Sequence, residues 1–449
     1  MESDAPRAGL LRQLPALAAV VALGALNSVI GKIRAVKLGV FDGLIAGLIN
    51  AFVYFLVYVG ILYSRLRSGR VTPAEIRFTF GARVFPARTA GGGPLASARR
   101  AWERAGIHKL MIVGGAADCT TQVLTFVALP SVSIIVNALL SQTTALFNML
   151  WSMALLDSRF VALELLGIAI ALSGAALTVF EVAHGGGQGT KLQFALLIVV
   201  SCCGMALSFV LKEKCFRAYS QWRQRGARAP ADADAEVSVL HPADGGAPLL
   251  PGAAGVQANA EGGAAPRDKA LPVELDIWCV NSAAAAWSLV WVLPVTLVTS
   301  LVQKPAGASV PAFAADGFRC FANLAARGAG AVDDDADDDA TCAGAWQWYV
   351  AYMAINLCYN YSIYWVVRHH SALLAFVTIK AVTPTAALLS LLRWPVIGRG
   401  SMSSLDGVSL ALIVVGVAVF RHGASVREAQ FGGQQQRTAQ MRVCCWPIR

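Results

Sequence analysis

SVSIIVNALLSQTTALFNMLWSMALL, residues 131–156, decides how the rest of the chain is read. Wound as a helix at about 1.5 Å per residue, its 26 residues reach about 39 Å, enough to cross a hydrocarbon core of roughly 30 Å. Ser133, Asn137, Ser141, Thr144, Asn148 and Ser152 follow one another at steps of 4, 4, 3, 4 and 4, the period of one helix face. Unpaired amides and hydroxyls are costly against lipid, so such a stripe packs on other helices or lines a wet cavity. The cavity of a solute carrier is the central expectation, with Asn137, Ser141, Thr144 and Asn148 facing it.

Composition carries this outward. Of 449 residues 56% are hydrophobic and 14% charged, and the mean hydropathy is +0.57. Soluble chains carry about 25% charged residues, so the deficit marks an all-α integral membrane protein. Ten spans are expected: 14–33, 40–63, 110–129, 131–156, 161–180, 192–211, 277–301, 346–367, 371–392 and 405–420. Glu2 and Asp4 spoil the basic flank a signal peptide would need, so the first apolar run reads as a span. The net charge of +10 follows from basic loops and tail and does not imply nucleic acid.

Lys and Arg collect on one side. Loop 64–109 holds nine Arg and one Lys against two Glu, and further basic residues follow 211 and 420. That side, with both termini, should be cytosolic. The opposite loop, 302–345, holds seven Asp against three basic residues. Arg393, Arg399 and the Lys32–Lys37 connection go against the rule. Residues 1–211 thus hold spans one to six, 212–276 form a low-complexity cytosolic linker, 277–420 the remaining spans, and 421–449 a cytosolic tail. Glu164 precedes Gly174 by ten residues, as Asp406 precedes Gly416. A five-span unit inserted twice must be inverted the second time, giving two inverted five-helix repeats around a central cavity.

Several side chains fall inside spans. Asp118, with Thr121, Gln122 and Thr125 at helical spacing, reads as a proton-coupling carboxylate or as a helix-packing one. Lys380 sits near the middle of span nine on a face with Thr383, and Asp118 is its expected partner. Tyr352, Asn356, Tyr359 and Asn360 can bind a polar or cationic solute through hydrogen bonds and ring faces. Asn27 either packs or reaches the cavity. Cys320 and Cys342 can pair if their side is oxidising, two free thiols being the alternative. No CxxC, Cys/His metal spacing, HExxH or GxSxG occurs, so neither metal, cofactor nor enzymatic activity is expected. A channel and a membrane scaffold or enzyme are the competing classes.

Three stretches resemble a known family: ALNSVIGKI in span one, GGAADCTTQVLTFVALPSVSIIVNALLSQTTALFNMLWSMALLDSRF, and GFRC…CAGAWQWYVAYMAINLCYNYSIYWVV. They are similar to the chloroquine-resistance-transporter-like branch of the drug/metabolite transporter superfamily. The resemblance implies ten spans, inverted repeats, a central cavity and a disulfide-bearing loop on the lumenal side. It implies proton-coupled movement of small organic solutes (thiol peptides such as glutathione, amino acids or cationic metabolites) across an organelle membrane such as that of a plastid or vacuole. It makes Asn27, Asp118, Gln142, Asn148 and Asn356 cavity or coupling candidates. The chain departs from the family in its two loop cysteines and in Lys380; a cavity lysine favours an anionic or zwitterionic solute. The expected partners are a small solute, protons and the bilayer, and a monomer suffices.

Overall fold

The computed structural model describes residues 5–80, 106–156, 158, 160–184, 190–237, 275–324, 342–369 and 372–444. Its helices are α1 (Ala5–Leu38), α2 (Asp42–Arg67), α3 (Pro73–Phe80), α4 (Gly106–Ala128), α5 (Ile134–Leu140), α6 (Thr143–Leu156) and α7 (Ala162–Ala183). They continue with α8 (Leu192–Val237), α9 (Ile277–Gln303), α10 (Val310–Phe321), α11 (Ala345–His369), α12 (Ala372–Ser390) and α13 (Ser404–Cys444). A two-residue ladder, β1 (Arg393–Trp394) with β2 (Gly398–Arg399), lies between the last two helices.

The chain is an all-α membrane protein. Among the described residues seven segments are long and apolar enough to cross a bilayer, and one of them, Leu17–Arg67, contains both α1 and α2. The expected acidic run at 333–339 and most of the expected linker lie outside the described residues. The helix begun by the expected span 192–211 continues to Val237, and the one begun by 405–420 continues to Cys444.

Packing follows the small residues. α7 and α13 cross at Gly167, Gly174, Gly416 and Gly423. A Cβ at Gly416 would lie 2.5 Å from Ala171 N, and one at Gly167 would lie 2.3 Å from Phe420 N, so the backbones themselves touch. Both helices are capped alike. Glu164 accepts from Val161 N at 3.0 Å, and Asp406 accepts from Ser403 N at 3.2 Å, each acid three residues past its donor. α4 packs on α8 and α9, α2 on α9, α1 on α11 and α12, and α6 on α8.

Two caps close the ends. On one, Glu75 of α3 is fully buried, accepting from Thr72 N at 2.7 Å and Asp276 N at 3.0 Å, while Asp276 also holds Arg65. Phe78 beside it stacks on Tyr219 and Trp222. On the other, Cys320 and Cys342 form a disulfide with Cα atoms 5.0 Å apart. The bond ties α10 to the start of α11, with Gly317 of α10 set against Phe41 and Ile45. It closes a loop of 22 residues in sequence, so Cys320→Ser should lower the unfolding free energy by about 3 kcal/mol, measured by thermal unfolding with and without reductant.

Candidate solute pathway

The organising stretch is not one helix. It breaks at Ser141–Gln142 between α5 and α6, inside the candidate span Ile134–Leu156. Polar side chains there serve the backbone that the break frees. Ser141 Oγ donates to Ala138 O at 2.7 Å, Thr143 Oγ1 to Leu140 O at 2.8 Å, and Thr144 Oγ1 to Ser141 O at 2.8 Å. Ser141 and Thr144 therefore each satisfy a carbonyl at the interruption. Non-helical backbone at this depth persists only where it is so satisfied or faces a cavity. Asn137 is half-buried on α5, and Asn148 Oδ1 is buried with no hydrogen bond.

Gln142, at the break, donates through Nε2 to Thr383 Oγ1 of α12, and both residues are buried. Thr383 precedes Pro384, which removes a backbone donor from its own helix. The break between α5 and α6 thus meets α12 beside its proline. On the other flank, Asn50 Nδ2 of α2 donates to Gln122 Oε1 of α4 at 2.7 Å. Asn360 Nδ2 of α11 donates to Tyr54 OH of α2 at 2.7 Å, and Asn356 Nδ2 donates to Tyr352 OH at 3.0 Å. Tyr359 instead packs beside α1, where a Cβ on Gly24 would come within 2.7 Å of its ring.

Asp118 is paired with a residue just past the expected span. Lys212 Nζ of α8 donates to Asp118 Oδ2 at 2.7 Å, with the two side chains 18% and 22% exposed respectively. Around them Thr121 Oγ1 donates to Ser201 O at 3.0 Å and Thr125 Oγ1 to Ser201 Oγ at 3.1 Å, fastening α4 to α8. Lys380 lies on α12, and its side chain is outside the described residues.

Sequence reasoning missed the disulfide side. Arg34 of α1 and Asp42 of α2 form a 2.8 Å ion pair with both side chains 0% exposed. The guanidinium lies 4.3 Å from the ring centroid of Phe126 of α4 and 4.2 Å from that of Tyr352 of α11. Next to it Lys32 Nζ donates to Leu129 O at 2.8 Å and Pro130 O at 2.6 Å. A cavity of about 290 Å³ opens here, lined by Lys32, Ser131, Ser133, Ile134, Ser390 and Gly400 among others. The signal was present: Arg34 and Lys32 break the charge rule, and Asp42 follows Arg34 across a tight turn. This cavity lies toward the disulfide side, while between α2, α4 and α11 the polar residues bond to one another. Four buried amide oxygens, of Asn27, Asn50, Gln142 and Asn148, accept no hydrogen bond. Leaving each unmade costs about 1–3 kcal/mol.

A broken helix meeting a proline-bearing one at a polar contact is a feature compatible with transporter folds. The model of the CRT-like, chloroquine-resistance transporter-like family matches residues 98–224 and 267–420, and the chain belongs to that family. It is similar to Protein CLT2, chloroplastic, of Arabidopsis thaliana, at 23% identity over 89% of this chain and 74% of the relative. It is also similar to Protein CLT1, chloroplastic, of the same plant, at 23% identity over 89% of this chain and 70% of that relative. The protein is a multi-pass membrane transporter.

Proposed function

We propose that the chain is a proton-coupled secondary carrier of small organic solutes, with ten spans in two inverted five-helix repeats and both termini cytosolic. Helix packing supports the repeat. Exchanging the halves turns the α1–α11 contact into α8–α4 and the α1–α12 contact into α8–α6, while α2–α9 and α7–α13 map onto themselves. The observation that carries the mechanism is the junction where Gln142 meets Thr383, because the interrupted fourth span and the Pro384-bearing ninth are repeat mates. Breaking and remaking this contact, with Tyr54–Asn360, lets two halves rock about a central site.

Asp118 and Lys212 carry opposite charges 2.7 Å apart, so a zwitterionic solute matches them end for end. A proton on Asp118 releases Lys212, which links the pair to a pH gradient. The chloroplast relatives and the disulfide on the non-cytosolic side favour an organelle membrane, with thiol peptides and amino acids as the first solutes to assay.

The test is uptake of labelled glutathione, γ-glutamylcysteine and basic amino acids into liposomes bearing the purified protein, with and without a pH gradient. Asp118→Asn should cut gradient-driven uptake at least about tenfold, the equivalent of about 1.4 kcal/mol. Solute exchange without a gradient should be reduced less. Uptake with unaltered gradient dependence removes Asp118 from coupling. A C-terminal tag digested from the organelle interior rather than from outside would reverse the orientation.

A further inference from the structure

Between α12 and α13, Arg393 stands directly opposite Arg399, and Trp394 opposite Gly398. Opposed residues of an antiparallel ladder share a face, and like charges there repel. Trp394 takes the inner face: its Nε1 donates to Leu389 O at 2.8 Å and its ring packs in the cluster with Ile134 and Tyr352. Both arginines are therefore turned away from the core, and both are exposed. Among the described residues neither meets a carboxylate. Arg399 Nε donates to Leu391 O at 3.0 Å, using one of its five donors.

The turn that opposes them is held under strain. Val396, a β-branched residue, has φ 74°. Such a conformation costs on the order of 1–3 kcal/mol and persists at ligand clamps and switches. On either side the surface is apolar: Leu388 and Leu392 before the ladder, Val396 in its tip, Leu405 and Val408 after it, all exposed. An apolar band reaching the arginines from both adjoining helices places them at headgroup level, at the edge of the hydrocarbon. Forked guanidinium donors suit a phosphate.

We propose that Arg393 and Arg399 together clamp the phosphate of an anionic phospholipid in the leaflet on the disulfide-bearing side. This needs only the membrane fold and not the transport reading above. The repulsion between the two guanidinium groups becomes attraction to a shared anion, which accounts for arginines where the charge rule disfavours them.

The experiment is native mass spectrometry of the full chain in detergent, titrated with phosphatidylglycerol, phosphatidylcholine or inorganic phosphate. Phosphatidylglycerol should bind more tightly than phosphatidylcholine. The double variant R393Q/R399Q should lose about fivefold per arginine, about 25-fold together, while Arg319→Gln on the same side leaves binding unchanged. R393K/R399K keeps the charges without the fork and should fall between; it also decides the matter should the glutamine pair fail to fold. Equal binding of both lipids, wild-type affinity in the glutamine or lysine pair, or binding of inorganic phosphate without phosphatidylglycerol preference overturns the assignment.

Discussion

Asp42→Asn should lower the unfolding free energy by about 3–5 kcal/mol, the cost of leaving a buried charge without its partner. Arg34 has no route to water, since its side chain is 0% exposed between Phe126 and Tyr352. Its Nε and Nη1 already lack hydrogen bonds, so nothing nearby compensates a lost carboxylate. The double variant Arg34→Met with Asp42→Leu removes both charges and should recover most of the loss, because filled apolar volume replaces the pair. Unfolding in detergent followed by tryptophan fluorescence separates the three proteins. The double variant then tests the pathway: a folded protein with normal uptake would show that the pair only braces α1 against α2.

Gly416→Val should yield no stably folded protein, a loss beyond about 4 kcal/mol. The added Cβ meets Ala171 N at 2.5 Å and Gly167 O at 2.6 Å, and backbone atoms cannot rotate aside. Helix association in a bilayer rests on close approach at small residues, so pushing α7 and α13 apart removes their packing along the whole crossing. Gly60→Ala is the counterpart. Nothing lies within 4 Å of its added Cβ, so the usual helix preference for alanine should stabilise by about 0.5–1 kcal/mol. Thermal unfolding of both variants checks the contrast. A Gly416→Val protein that melts like the wild type would mean the crossing shifts freely.

That crossing was partly legible beforehand, since Glu164 with Gly174 and Asp406 with Gly416 share one spacing. What the spacing concealed is that the two helices cross each other, Gly174 lying against Ser409 and Gly416 against Ala171. The membrane class followed from the charge deficit together with the repeated apolar runs. The break at Ser141–Gln142 did not, because the polar period runs through it unbroken and the hydroxyls that repair it look like a cavity stripe. Lys212 escaped as the partner of Asp118 because hydropathy falls at that residue, so the expected span stopped at 211 while the helix went on. Arg34 and Asp42 stood apart as a charge-rule anomaly and a span-edge acid, and only three-dimensional packing joins them. Cys320 and Cys342 read as either a pair or two free thiols, and it was the family resemblance that implied a disulfide in this loop.

The turn Leu129–Ser131 joins α4 to α5 with almost no slack, and it bears on how the chain enters the bilayer during synthesis. The two segments it connects, Ile107–Ser131 and Ile134–Leu156, are the least apolar of the seven candidates. Neither is well suited to partition alone, the second least of all, since its first helix is seven residues long. They should leave the insertion machinery as a helical hairpin, each masking the other's polar groups.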